Sequence, residues 1–452
     1  MLRLAGGVRN LSVGNAPRTF SIYCKAEGIR VKIIVTLLVL LGAGLGVIWF
    51  NSEDSPPAPT CRDPLGCVVL MPGDPIRIGV IQALSGKVAR LGQDQMRGLE
   101  LALERRQGAI LGHPVSLVVE DTGCRPEGGA IAALKIVSDP SVAAIFGTTC
   151  SADAATAAQV MTEAGLTMIS GNNSAPFLTA TDGQKAPKWQ AGYFRTAPNE
   201  EHSGPAAARF AFEDLGIRQA ATINDGDIYT QGLTDGFQKE FTRLGGSIVL
   251  AATVNKGDTD MGPVLQAVLQ AKAQLVFFPL FQPEGNQVLL AAKANPAYDA
   301  IVMMSDGSLI EDSFIQSVGA ACQGMYFVGP TPPVDSAALR DILARYKSRY
   351  GESPPSNYYT NAYDAANILF TAIENAATRK DGKLILGRKA LRDAMYGTKN
   401  VVGLAGVLSC NQFGDCAEPK FNVLKMRDPS AGIQDLTSNV MYTYAPSAPI
   451  RR

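Results

Sequence analysis

From position 76 onward, short apolar runs alternate with stretches in which apolar residues recur three or four positions apart. The first pattern suits buried strands and the second amphipathic helices. Strands are predicted at 76–83, 115–120, 143–147 and 167–170. Helices fall between them at 127–139 and 151–164, and Met96, Leu99 and Leu103 mark the buried face of an earlier one. The series then restarts, with strands at 220–223, 248–253, 275–278 and 301–304 and helices near 203–215, 233–244, 261–271 and 285–294. After Gly329 the pattern turns helical, at 336–350, 359–377 and 388–395. Two successive β-α series predict an α/β protein of two doubly wound, Rossmann-like lobes. A chain of 452 residues also exceeds what one ordinary core serves.

Polar clusters follow three strands of the first series: Glu120-Asp121-Thr122-Gly123-Cys124, Cys150-Ser151, and Ser170 to Ser174. In an open parallel sheet the carboxyl ends of the strands border the crevice where small molecules bind, so these clusters outline a site. On the residues alone, Ser151 reads as a helix N-cap and Asn172 to Ser174 as a turn, the commoner uses of such residues.

The amino terminus adds a different signal. Residues 33–50 are apolar and uncharged, and Arg3, Arg9, Arg18, Lys25, Arg30 and Lys32 precede them. A run of roughly 18 apolar residues reads as a transmembrane anchor, and the basic flank assigns residues 1–32 to the cytoplasm. The opposing reading is a signal peptide with a long leader, although no clear small-x-small cleavage site follows. Residues 51–75, rich in Pro, Ser and Asp, are expected to form a linker. The net charge of zero and the absence of a basic cluster beyond the amino terminus give nucleic acid no purchase.

Eight cysteines fit an oxidising compartment. Cys61 with Cys67 reads as a short local bridge, and Cys410 with Cys416 flanks the turn signal Gly414-Asp415. Cys24 falls on the cytoplasmic side, and Cys322 has no evident partner. The spacings match no zinc site.

The order acidic-x-x-Cys (Asp121 to Cys124), a strand ending in Cys150-Ser151, a helix, then Met168-Ile169-Ser170 and small polar residues resembles the leucine/isoleucine/valine-binding proteins of bacterial ABC importers. The likeness runs from about position 76 to about 426. It implies the type I periplasmic binding protein architecture, two lobes joined by three crossings, here expected near Pro198, Gly329 and Gly403. The first lobe then takes 76–197 with 330–403, and the second takes 198–329 with 404–452.

The resemblance implies a Cys124–Cys150 disulfide. It assigns Ser151 and Ser174 to a ligand carboxylate, with Asn173 acting through its backbone, and Asp306 to the ligand ammonium, with Tyr229 closing over the ligand backbone. Phe281 or Gln282 stands where such proteins often present tyrosine, and Leu91 where an aromatic wall is frequent. These departures point to a reshaped side-chain pocket. Asp225 and Asp227 match only part of a calcium loop.

Catalysis finds little support. The two histidines, His113 and His202, read as surface residues, and neither neighbours a nucleophile motif. No phosphate-binding loop or dinucleotide fingerprint appears outside the apolar run. The expected function is therefore an extracytoplasmic solute-binding protein, not an enzyme, without cofactor or metal. It is expected to be tethered to the cytoplasmic membrane and to hand an amino acid to ABC permease subunits. The alternative is a membrane-tethered sensory domain of the same fold, signalling to a partner.

Overall fold

The computed structural model describes residues 61–333 and 335–445. The first lobe is built on a six-stranded sheet in the order Ala109–Ile110, His113–Asp121, Ile76–Gln82, Val142–Gly147, Met168–Ser170, Tyr193–Arg195. All neighbours are parallel except the short edge strand Ala109–Ile110. Alternation along Ile76–Gln82 sorts its side chains to two covered faces. Ile76, Ile78 and Val80 meet the helices Ala89–Arg105 and Tyr358–Ala376 through Leu99, Ala102, Ala366 and Leu369. Ile81 meets Ile136 and Ala157 on the helices Pro126–Val137 and Ser151–Glu163. Sheets covered on both sides need near-continuous apolar strands, which is why these segments stand out in the sequence. At Gly79 an added Cβ would lie 2.4 Å from Ile136 Cγ2, so glycine sets how closely the helix Pro126–Val137 approaches.

The second lobe carries a seven-stranded sheet in the order Ser247–Thr253, Gln219–Asn224, Leu275–Phe277, Val302–Asp306, Tyr326–Pro330, Phe421–Lys425, Val440–Tyr444. The first five are parallel, and Phe421–Lys425 runs antiparallel to both of its neighbours. The segment 203–215, expected as one helix, divides into the helix Ser203–Arg209 and a π-helical turn, Phe210–Asp214.

Several expectations need correction. The linker expected over 51–75 contains a strand, Cys67–Leu70, which pairs antiparallel with Lys383–Gly387 and buries Val68 and Leu70. The Asp63 carboxylate accepts the Lys389 and Ala390 amides at 2.9 Å each, so this stretch belongs to the first lobe. The return to the second lobe lies at 417–420 rather than near Gly403. Leu408, Cys410 and Cys416 are buried in the first lobe's core, and Phe421 opens the next strand of the second sheet. The Arg195–Asp415 ion pair, at 2.7 Å with the arginine fully buried, fastens that late segment to the first lobe. His113 is buried, with Nδ1 2.8 Å from the Asp74 carbonyl oxygen, and His202 stacks on Tyr444.

Disulfides join Cys61 to Cys67, Cys124 to Cys150 and Cys410 to Cys416, while Cys322 is a buried free thiol. The segment 1–32 with Cys24, expected in the cytoplasm, the apolar run 33–50, expected as an anchor, residues 51–60 of the expected linker and residues 446–452 lie outside the described residues.

Candidate functional site

The strand Val142–Gly147 leads into Thr148-Thr149-Cys150-Ser151, where the Cys124–Cys150 bridge ties the turn after the strand His113–Asp121, two places away in the sheet, to the start of the helix Ser151–Glu163. Cys150, with extended backbone, occupies the N-cap, and Ser151 is the first helical residue. Ser151 is therefore not the cap. Its Oγ accepts the Ala175 amide at 3.2 Å. Thr149 Oγ1 donates to Gln82 Oε1 at 2.6 Å and accepts the Ala83 amide at 2.9 Å. Ser170 Oγ accepts the amides of Asn172 and Asn173 at 3.0 Å each, fixing the turn after the strand Met168–Ser170. Asn172 Nδ2 then donates to the Thr149 carbonyl at 2.9 Å. The first lobe thus presents short polar side chains in positions held by backbone contacts.

Asp306 ends the strand Val302–Asp306 of the second lobe and is fully buried. Its carboxylate accepts the Ser308 amide at 3.0 Å, the Ser308 hydroxyl at 2.9 Å and the Tyr229 hydroxyl. Tyr229 sits in the first turn of the helix Ile228–Arg243, whose N-cap Asp227 accepts the Tyr229 amide at 2.9 Å. The Tyr229 and Phe281 rings lie 5.3 Å apart. Asp227 also pairs with Lys256 at 2.7 Å, which makes it a cap and an ion-pair partner.

Leu91, Ser151, Ser174, Tyr229 and Phe281 line one space of about 20 Å³, together with Thr149, Asn172, Ser308 and Tyr358. So little room means that the lobes are closed on each other. Asp306 stands directly behind two of these lining residues, Tyr229 and Ser308. Asn173 is not at the cleft. Its side chain is buried among Thr148 and Tyr193, and its Oδ1 accepts the Tyr193 hydroxyl at 3.0 Å.

Glu200 is the residue that the sequence reading missed. It lies at the first crossing, 1% exposed, and its Oε2 accepts the Ser174 hydroxyl at 2.9 Å while Oε1 has no partner. Burial, reinforced by the nearby Asp306 charge, pushes its pKa up to about 8. Burial likewise raises Asp306, against the hydrogen bonds from Tyr229 and Ser308. Two desolvated carboxyls, one at the first crossing and one at a strand end of the second lobe, favour a cation close to both. Tyr358, at the start of the helix Tyr358–Ala376, was missed as well.

A larger cavity of about 790 Å³ lies at the crossings, bordered by Pro198, Pro330, Leu404 and Lys420. Gly307 and Tyr358 belong to its lining, and Tyr358 borders the cleft too.

A family model described as periplasmic binding protein matches residues 75–415. The Leu/Ile/Val-binding protein homolog 3 of Brucella melitensis is 26% identical over 355 residues, covering 78% of this chain and 92% of its own length. Among solved structures, a leucine binding protein from Thermotoga maritima superposes with a TM-score of 0.70 at 23% identity, over 82% of this chain and 99% of that one. A solute binding protein of an ABC transporter from R. palustris, in complex with benzoate, gives 0.67 at 20% identity, over 83% and 100%. The two solved structures share the fold. The relatives are solute-binding proteins, not enzymes.

Proposed function

Because the chain belongs to the periplasmic binding protein family, we propose that it is the extracytoplasmic solute-binding component of an ABC importer and captures an amino acid between its lobes. The observation that carries this reading is the presence of two buried acids, Glu200 at the first crossing and Asp306 in the second lobe, each bonded to a residue of the cleft lined by Ser151, Ser174 and Tyr229. The ligand ammonium goes to the two carboxylates, where charge-assisted bonds are stronger than neutral ones. The ligand carboxylate goes to Thr149, Ser151 and Ser174 at the amino end of the helix Ser151–Glu163, where free amides and the helix dipole favour an anion. A ligand that touches both lobes binds the closed form more tightly than the open one and shifts the population toward it.

The Brucella relative's name includes leucine, isoleucine and valine, which supports an amino acid. Benzoate, found on the R. palustris neighbour, has no ammonium to offer an acid pair. The closed form would dock on permease subunits, with ATP hydrolysis on another subunit and residues 33–50 holding the protein to the cytoplasmic membrane. Calorimetric titration of the full-length chain with amino acids tests the reading. Saturable binding that Asp306→Ala abolishes is expected, and equal binding by the variant would refute the assigned site.

A further inference from the structure

Beside Phe281, the second lobe carries a buried polar cluster in which a carboxylate oxygen is left without a hydrogen-bond partner. Gln282 Nε2 donates to Glu311 Oε1 and, at 2.8 Å, to Ser313 Oγ. Gln282 Oε1 accepts from Asn286 Nδ2 at 3.1 Å, and that nitrogen also donates to Ser317 Oγ at 2.9 Å. The amide donors of the cluster are thereby used. Glu311 Oε2 and Asn286 Oδ1 remain without partners, although the two residues are each only 6% exposed.

The cluster adjoins residues of the cleft without itself lining it. Glu311 follows the cleft-lining Ser308 by three positions, and Gln282 follows the cleft-lining Phe281. The cleft-lining Tyr358 feels the charges of Glu200, Asp306 and Glu311 together. Leu91 lines the cleft from the first lobe, and the charge of the adjacent Arg90 is felt at Glu311. Arg90 is half-exposed, forms no ion pair with Glu311 and lies 3.7 Å from Glu352 instead. The titratable neighbours of Glu311 are therefore Arg90, Asp312 and Tyr358, and burial holds its carboxyl above the usual range.

An α-amino acid with an aliphatic side chain brings one cation and one anion to a cleft that buries three carboxyls. It answers the Glu200–Asp306 pair and leaves Glu311 Oε2 bare. We propose that Glu311 is a second cation site, at the side-chain end of the cleft, and that the preferred ligand is an amino acid with an ammonium or guanidinium on its side chain. This rests on the amino-acid reading above and deepens it. Such a side chain supplies the missing donor and the missing charge in one group, whereas an uncharged amide supplies the donor alone. The departures at Leu91 and Phe281 then mark a pocket rebuilt around an acid.

The test is calorimetric titration of the full-length chain with arginine, lysine, glutamine and leucine, in the native protein and in Glu311→Gln and Glu311→Asp. Arginine or lysine is expected to bind about 10-fold or more tightly than leucine, the gain of one charge-assisted bond. Glu311→Gln should bring that ratio to about unity, and Glu311→Asp, which keeps the charge, should retain part of it. Leucine or glutamine binding as tightly as arginine, or a ratio unmoved by Glu311→Gln, would overturn the second cation site while leaving the amino-acid reading intact. Failure of all four to bind a folded protein would overturn both.

Discussion

The first lobe brings hydroxyls and amides to the cleft, through Thr149, Ser151, Asn172 and Ser174, whereas the second brings an acid and two aromatic rings, through Asp306, Tyr229 and Phe281. The way each is held differs too. A disulfide and a web of backbone bonds brace the first lobe's site, while Asp306 is braced by its own turn and one tyrosine. Glu200 breaks the division, since it is an acid at the first crossing that is bonded to Ser174 of the first lobe and feels the charge of Asp306 in the second. On the proposed reading, one lobe offers a rigid anion seat and the seam between the lobes offers the cation seat. Closure and ligand charge are coupled at that seam.

The largest effect that sharpens this contrast should come from the second lobe. Asp306→Ala removes one partner of a buried charged contact and is expected to cost about 2–5 kcal/mol of binding, measured by calorimetry. Next comes the brace of the first lobe. Replacing Cys124 and Cys150 by serine is expected to cost about 2–4 kcal/mol of stability in a denaturant titration, with a proportionally smaller loss of affinity.

The seam itself responds to pH. Glu200, and Asp153 in the nearby first-lobe helix Ser151–Glu163, are each pushed by burial from the ordinary carboxylate values of 4.5 and 3.8 up to about 8. Between those limits the folded, ligand-free protein holds protons that the unfolded chain has released, so its stability is expected to fall as pH rises. The slope is at most about 1.4 kcal/mol per pH unit for each such proton. A ligand cation favours ionised Glu200, so affinity should rise over the same window with proton release on binding. Calorimetry in buffers of different ionisation enthalpy reads that release directly. The smallest effect belongs to the neutral anion seat, where Ser151→Ala should weaken binding by about 0.5–1.5 kcal/mol.

Much of the scaffold is legible in the chain because buried parallel strands are apolar without interruption. The observed strands Ile76–Gln82, Val142–Gly147 and Leu275–Phe277 differ from the expected spans by a residue at an end. The strand Cys67–Leu70 escaped notice because it is four residues long, lies among prolines and aspartates, and pairs with a segment more than 300 positions away. The third crossing is hidden for a related reason. Gly403 carries an ordinary turn signal, whereas the Arg195–Asp415 ion pair that keeps 404–416 on the first lobe joins residues far apart in sequence.

Within the site, Leu91, Ser151, Ser174, Tyr229 and Phe281 converge as one lining, but Asn173 turns inward to support the strand ends. Glu200 gave no usable signal. An acid just before a helix is the usual complement to the helix dipole, and only the fold reveals that its carboxyl is buried and bonded to Ser174 instead.

The most direct test compares an α-amino acid with the α-hydroxy acid of the same side chain in one titration of the native protein. If the cation seat between Glu200 and Asp306 governs capture, the amino acid binds and the hydroxy acid shows no saturable heat. Equal affinity for both would mean that the acid pair does not grip the ligand, and the division of labour between the lobes would be wrong.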